Sequence, residues 1–196
     1  MISQLIKWDQ WLFSQINSHL TNPWLDMVLP YLRNSVFWTP LYLFLIVFFP
    51  MNFKKKGWWW VLVFICTVAL TDMISSRLFK EYFERLRPCN DPALVGHMRL
   101  LLKNCSGGFS FTSSHAANHF GMAAFFYYST RSFLKHWSFL AFAWAFVICY
   151  AQVYVGVHYP LDILGGALIG LGVGTLTALF FNKMFGFIIF GKEPTT

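Results

Sequence analysis

Residues 137–154 read WSFLAFAWAFVICYAQVY, eighteen positions without a charged side chain. A helix needs roughly 20 predominantly apolar residues to cross a bilayer core, and tilt or local thinning accommodates a slightly shorter run. Four further runs of the same character lie at 36–51, 57–79, 115–130 and 160–181. The last carries Gly166, Gly170 and Gly174 at spacing four, a stripe suited to close packing against a neighbouring helix. Composition agrees with the runs. Of 196 residues, 57% are hydrophobic and 12% charged, against about 45–50% and about 25% in soluble domains. Mean hydropathy is +0.51. These values exclude disorder, collagen and small disulfide scaffolds, and they argue against a soluble enzyme. The expected fold is all-α: one polytopic membrane helix bundle of about five transmembrane helices.

The first 35 residues fit no span. Leu5, Trp8, Leu12, Ile16 and Leu20 recur at helical spacing opposite Gln4, Lys7, Ser14 and Asn17, as in an amphipathic helix lying in the membrane interface. Asn22-Pro23 ends it, and a short second segment follows. The division expected is therefore interfacial helices over 1–35, a transmembrane core over 36–182 and, within it, an extracytoplasmic loop over 80–114, all in one domain. Lys54-Lys55-Lys56 and Arg131 with Lys135 occupy short turns on one side, with Lys183 and Lys192, and basic short loops mark the cytoplasmic side. Trp58, Trp59 and Trp60 read as an interfacial belt beside the lysine run.

The net charge of +7 comes from clusters between apolar runs. Without a basic stripe interleaved with aromatics, it points to membrane phosphates and the bilayer, not to nucleic acid. Cys66 and Cys149 fall inside spans as small apolar fillers. Cys89 and Cys105 share the long loop, where an extracytoplasmic compartment permits a disulfide between them; the alternative is two free thiols.

Polar residues gather at the outer ends of the spans. Lys80-Glu-Tyr-Phe-Glu-Arg-Leu-Arg87-Pro88 leaves one run, Ser113-Ser114-His115 opens the next, and Gln152 to Asp162 includes His158 and Pro160. Pro160 suits the first turn of a helix, which places His158 just before it and Asp162 within its first turn. Asp162 can accept a hydrogen bond from one imidazole nitrogen and leave the other free as a nucleophile. Ser113 and Ser114 are natural N-caps, and free backbone N–H groups at a helix start hold phosphate oxygens. Lys80 and Arg87 add fixed positive charge, and an arginine can bind phosphate in a bidentate manner. Two histidines, His115 and His158, then divide the labour of attack and leaving-group protonation. Each residue has a bland alternative, such as a snorkelling collar for Lys80, Arg85 and Arg87, but the conjunction at three segments does not.

These segments resemble the type 2 phosphatidic acid phosphatase superfamily, whose signature is K-x6-R-P, then P-S-G-H, then S-R-x5-H-x3-D. Lys80, Arg87 and Pro88 complete the first part. Thr112-Ser113-Ser114-His115 keeps Ser and His of the second, and Ala151-Gln152 precedes His158 and Asp162 in the third. The resemblance covers about 57–181. It implies that His158 is a nucleophile forming a phosphohistidine, Asp162 its orienting partner and His115 the general acid. Lys80, Arg87, Ser113, Ser114 and Gln152 would bind the phosphoryl oxygens. No metal and no cofactor is implied. The expected partner is a membrane lipid phosphate, such as phosphatidate, phosphatidylglycerol phosphate, undecaprenyl diphosphate or lipid A. The expected location is a bacterial cytoplasmic membrane, with the site facing outward. The residues leave oligomeric state open, as well as a lipid phosphotransferase or a non-catalytic lipid-binding protein. Gln152, where the family has Arg, removes a charge from the clamp; Arg77 or Arg85 are candidates to replace it. Asp72, inside a span, reads as a buried hydrogen-bonder, and Asn118 and His119 as bundle lining.

Overall fold

The computed structural model describes residues 2–94 and 96–187; Lys192, used above for orientation, lies outside them. Among the described residues the secondary structure is helical throughout, with no strand. The helices are α1 (Ile2–Ser14), α2 (Pro23–Leu32), α3 (Thr39–Met73), α4 (Lys80–Phe83), α5 (Ser114–Leu134), α6 (Leu140–Tyr154) and α7 (Pro160–Met184). The predominantly helical stretches Ser35–Asn90, Ser114–Tyr154 and Pro160–Met184 are long and apolar enough to cross a membrane.

Two of these stretches fold back on themselves. Inside α3, Lys54 takes φ 52° and ψ −127°, a backbone that redirects the chain. Beyond it Trp60 returns to stack on Phe49 with ring centroids 3.6 Å apart. The two halves touch so closely that a Cβ on Gly57 would lie 2.1 Å from the Phe49 carbonyl oxygen. Lys135 repeats the same geometry, φ 51° and ψ −127°, at the end of α5, and Tyr127 there meets Phe142 of α6 at 5.5 Å. The Lys56 ammonium donates to the Gly186 carbonyl at 2.9 Å, so the Lys54 turn and the end of α7 share one end of the bundle.

Between α5 and α7 the packing is backbone against backbone. A Cβ added at Gly166, Gly170 or Gly174 would lie 2.3 Å from the carbonyl oxygen of Ser113, Ala117 or Gly121 respectively. Two stripes of spacing four therefore interlock, and the partner of the α7 glycines is α5, the helix capped by Ser113. The contacted atoms are backbone and cannot rotate away. Gly170→Ala should destabilise the protein by about 1–3 kcal/mol, read as a lower thermal midpoint in detergent.

Two expectations, the tryptophan belt and the Cys66 filler, need correction. Trp60 is fully buried and its indole N–H donates to Ser129 Oγ at 2.8 Å, whereas Trp58 and Trp59 are exposed. Consecutive helical residues point about 100° apart, so three tryptophans in a row cannot share one interfacial face. In the N-terminal segment, Leu5, Trp8, Leu12 and Leu20 face outward while Asp9, Phe13 and Asn17 are buried against the protein. An outward apolar face is what an interfacial helix presents to lipid; of the polar positions opposite it, Asn17 is buried whereas Gln4 and Lys7 are exposed. Cys66 is exposed; only Cys149 fills a buried space.

Candidate active site

Asp162 sits in the first turn of α7, with Pro160 at its N-terminus, and is fully buried. One carboxylate oxygen accepts from Arg85 Nη1 at 2.8 Å. The other accepts from the Tyr159 N–H at 2.8 Å and lies 3.5 Å from His158 Nδ1. Donors on every side hold this carboxylate as an anion and fix its orientation.

On the opposite edge of the imidazole, Arg87 Nη1 donates to His158 Nε2 at 3.0 Å. A guanidinium has no lone pair to offer, so Nε2 must be the acceptor. The neutral ring then carries its proton on Nδ1, toward Asp162, and keeps a lone pair on Nε2. Burial pushes the His158 pKa down to about 4, with Asp162 opposing the shift. Arg87 is itself buried and anchored by the carbonyls of Val157, Gly107 and Gly108 at 3.1, 3.3 and 3.2 Å. Gly156, at φ +93° with a Cβ position only 2.5 Å from the Arg99 carbonyl oxygen, permits the turn that brings α6 round to His158.

Ser113 caps α5: its Oγ accepts from the Ala116 N–H at 3.4 Å, and its own N–H donates to the Asp162 carbonyl at 3.0 Å. The starts of α5 and α7 are thereby tied together. Among the described residues, the N–H groups of Ser114 and His115 find no acceptor, while the Ser114 hydroxyl meets Ser75 Oγ at 3.2 Å. His115 and Ser114 line an open cavity of about 610 Å³ together with Ser35, Asp72, Asn118 and His119. His119 contacts the His115 carbonyl through Nδ1 at 2.7 Å and the Tyr42 hydroxyl through Nε2 at 3.3 Å. Asp72 is therefore no buried hydrogen-bonder: it is exposed in this cavity and accepts from Asn118 at 3.3 Å. Lys80, half-buried, opens α4 at the same end of the bundle.

Arg85 and Arg77 do not stand in for the charge missing at position 152. Arg77 is exposed, and Arg85 is spent on Asp162 and, at 2.6 Å, on Asp9. Asp9 also accepts from the Leu161 N–H at 2.8 Å, and burial raises its pKa. Gln152, fully buried on α6, instead accepts from Arg33 Nε at 3.1 Å. Asn17 binds the Arg99 N–H and the carbonyls of Arg99 and Tyr154, each at 2.8 Å, and Asp26 pairs with Arg99 and takes the Tyr154 hydroxyl at 2.6 Å. The N-terminal segment is thus built into the site. Its only sequence signal is a helical spacing of Asp9, Phe13 and Asn17. Cys89 and Cys105 are disulfide-paired, Cα–Cα 5.8 Å, in the loop carrying Arg87. No three His, Cys, Asp or Glu side chains cluster as a metal site among the described residues.

The profile of the PAP2 superfamily matches residues 57–185. The chain is 32% identical over 166 residues to the lipid A 4'-phosphatase of Bacteroides thetaiotaomicron, covering 83% of this chain and 72% of that protein. It is 31% identical over 175 residues to phosphatidylglycerophosphatase B of Bacillus subtilis, covering 84% and 79%. Its fold matches the crystal structure of a transmembrane PAP2-type phosphatidylglycerolphosphate phosphatase from Bacillus subtilis, with TM-score 0.71 over 92% of this chain and 88% of that one, at 26% identity. Lys80, Arg87, Ser113, His115, His158 and Asp162 all fall inside the matched stretch, and the chain belongs to the PAP2 superfamily.

Proposed function

We propose that this integral membrane protein is a metal-independent lipid phosphatase that transfers the phosphoryl group of its substrate to His158. The observation that carries this reading is the His158 imidazole, held between the Asp162 carboxylate and the Arg87 guanidinium with its Nε2 lone pair on the Arg87 side. A phosphate arriving at Arg87, Lys80 and the Ser114 and His115 N–H groups would replace Nε2 as the partner of Arg87 and meet that lone pair. Nε2 bonds to phosphorus as the bond to the lipid oxygen breaks, and His115 gives its proton to the leaving oxygen. Water then attacks the phosphohistidine, His115 takes its proton, and inorganic phosphate leaves.

The cavity below His115 fits the lipid part of such a substrate. Ile46, Phe64, Ile65 and Val68 form its wall. Tyr42, Phe64 and Met122 also line an adjoining apolar groove of about 260 Å³, with Trp144 in its wall. Five crossings follow if α3 and the α5–α6 pair each cross twice, turning at Lys54 and Lys135. The basic turns then face the cytoplasm. The catalytic end faces the outside of a bacterial inner membrane, where Cys89 and Cys105 can remain oxidised.

The test is phosphate release by the purified protein in EDTA, from phosphatidate, phosphatidylglycerol phosphate, undecaprenyl diphosphate and lipid A. Release from at least one of them supports the reading, and silence across the panel with folded protein contradicts it. Acid sensitivity gives a second check. Because burial lowers the His158 pKa from 6.5 to about 4, the nucleophile stays unprotonated through the neutral and mildly acidic range. In a plot of kcat/KM against pH the acidic limb should lie near pH 4, while loss of the proton that His115 donates sets the alkaline limb. A fall centred at 6.5 would place the essential base elsewhere.

A further inference from the structure

Position 152 carries an amide in a site otherwise lined with cations, and the side chain bonded to that amide comes from far away in the sequence. Arg33 follows α2 and lies outside the stretch matched to the superfamily. It reaches across 119 positions to donate from Nε to Gln152 Oε1 at 3.1 Å, and Gln152 Nε2 faces the Arg33 carbonyl at 3.5 Å. Using Nε for the anchor matters chemically. Both terminal nitrogens remain, and among the described residues neither has a protein acceptor, leaving the pair that grips two oxygens of one phosphate.

The surroundings point the same way. Ser35, two residues on, lines the cavity that holds His115. The backbone linking them is fixed: Asn34 Oδ1 accepts from the Val36 N–H at 3.1 Å, and the Trp38 indole donates to the Leu32 carbonyl at 2.7 Å. Gln152 is tied to the nucleophile as well, since its carbonyl accepts from the Val157 N–H at 3.2 Å and Val157 in turn anchors Arg87 at 3.1 Å. The Arg33 pKa is lowered by burial and by the nearby Arg87 charge. The like charges of Arg33 and Arg87 disfavour one another, and a bound anion relieves that repulsion.

We propose that Arg33 is a phosphate-binding residue of this enzyme: its guanidinium, seated on Gln152, supplies from the N-terminal segment the charge that position 152 lacks. This rests on the lipid-phosphatase reading above and names a further member of the same clamp. The group transferred is the phosphoryl of the substrate, gripped by Arg33 and Arg87 as negative charge builds on its oxygens. The anchor is reciprocal, so Gln152→Arg alone places a second guanidinium against Arg33 and should lower activity.

The test compares wild type with Arg33→Ala, Arg33→Lys and the double variant Arg33→Ala/Gln152→Arg, on the lipid from which the wild type releases phosphate. Arg33→Ala should lower kcat about 10²-fold and weaken inhibition by orthovanadate, which mimics the transferring phosphoryl, by a similar factor. Arg33→Lys should recover only part, because an ammonium cannot bind in bidentate fashion. The double variant, or guanidinium ion added to Arg33→Ala, should regain at least tenfold over Arg33→Ala. Activity of Arg33→Ala within threefold of wild type, with His158→Ala inactive, would overturn the inference and leave the phosphatase intact. Loss in Arg33→Ala that neither the double variant nor guanidinium restores would make Arg33 merely structural and also overturn it. A wild type that cleaves no lipid phosphate would remove the phosphatase reading itself, and the clamp with it.

Discussion

Replacing His158 with alanine should abolish phosphate release, a fall in kcat on the order of 10⁴-fold or more, because its Nε2 is the attacking atom of the proposed site. The imidazole is 2% exposed, with Nε2 accepting from Arg87 and Nδ1 facing Asp162 at 3.5 Å, so it is enclosed and its place is not open to a neighbouring side chain. Its removal leaves Arg87 without that contact, but the three carbonyls of Val157, Gly107 and Gly108 still hold the guanidinium. Substrate binding should therefore outlast catalysis. Inactive His158→Ala and His158→Asn proteins that still bind the lipid phosphate, and retain a thermal midpoint near that of wild type, would match this expectation. Turnover within tenfold of wild type in either variant would eliminate His158 as the nucleophile.

Asp162→Asn should be nearly as damaging, lowering kcat/KM by about 10³-fold, the scale of losing the carboxylate that orients a catalytic imidazole. Asp162 accepts from Arg85 Nη1 and the Tyr159 N–H and lies 3.5 Å from His158 Nδ1. An amide can satisfy donors on its oxygen only. If the oxygen stays with Arg85, the amide N–H₂ meets His158 Nδ1 and the Tyr159 N–H. The imidazole then does best by accepting at Nδ1, which moves its proton to Nε2 and removes the attacking lone pair. Protonation is not the cause of this loss. Asp162 opposes the lowering of the His158 pKa by burial, so its neutralisation moves the acidic limb to lower pH. The signature is thus a large drop in rate at pH 7 together with an acidic limb at or below its wild-type position. A rate loss recovered fully at higher pH would contradict the tautomer explanation.

Much of this site was legible because its key geometry is local. Pro160 fixes where α7 begins, and a spacing of four then places Asp162 against His158. Ser113 announces the start of α5 by the same capping logic. The all-helical fold was equally open to reading, since an apolar run in lipid must satisfy its backbone within itself. What stayed hidden was long-range. Asp9 meets Leu161 across 152 positions and Arg33 meets Gln152 across 119, and no periodicity in either segment names the partner. Periodicity also leaves burial undecided: in the N-terminal segment Asp9 and Asn17 are buried while Gln4 and Lys7 stay exposed. Arg85 reads as a spare cation until Asp9 and Asp162 are seen on either side of it. Trp60 shares its composition with Trp58 and Trp59, and only the return of the chain at Lys54 puts it against Phe49.

The most direct measurement is a rapid-quench experiment with a lipid substrate labelled in its phosphate, stopped under alkaline conditions that preserve a phosphorus–nitrogen bond, followed by mapping of the labelled peptide. Transient label on His158, formed and lost at rates consistent with turnover and absent from His158→Ala, is the expected result. Steady phosphate release with no labelled protein at any time, or label carried by a residue other than His158, would contradict it.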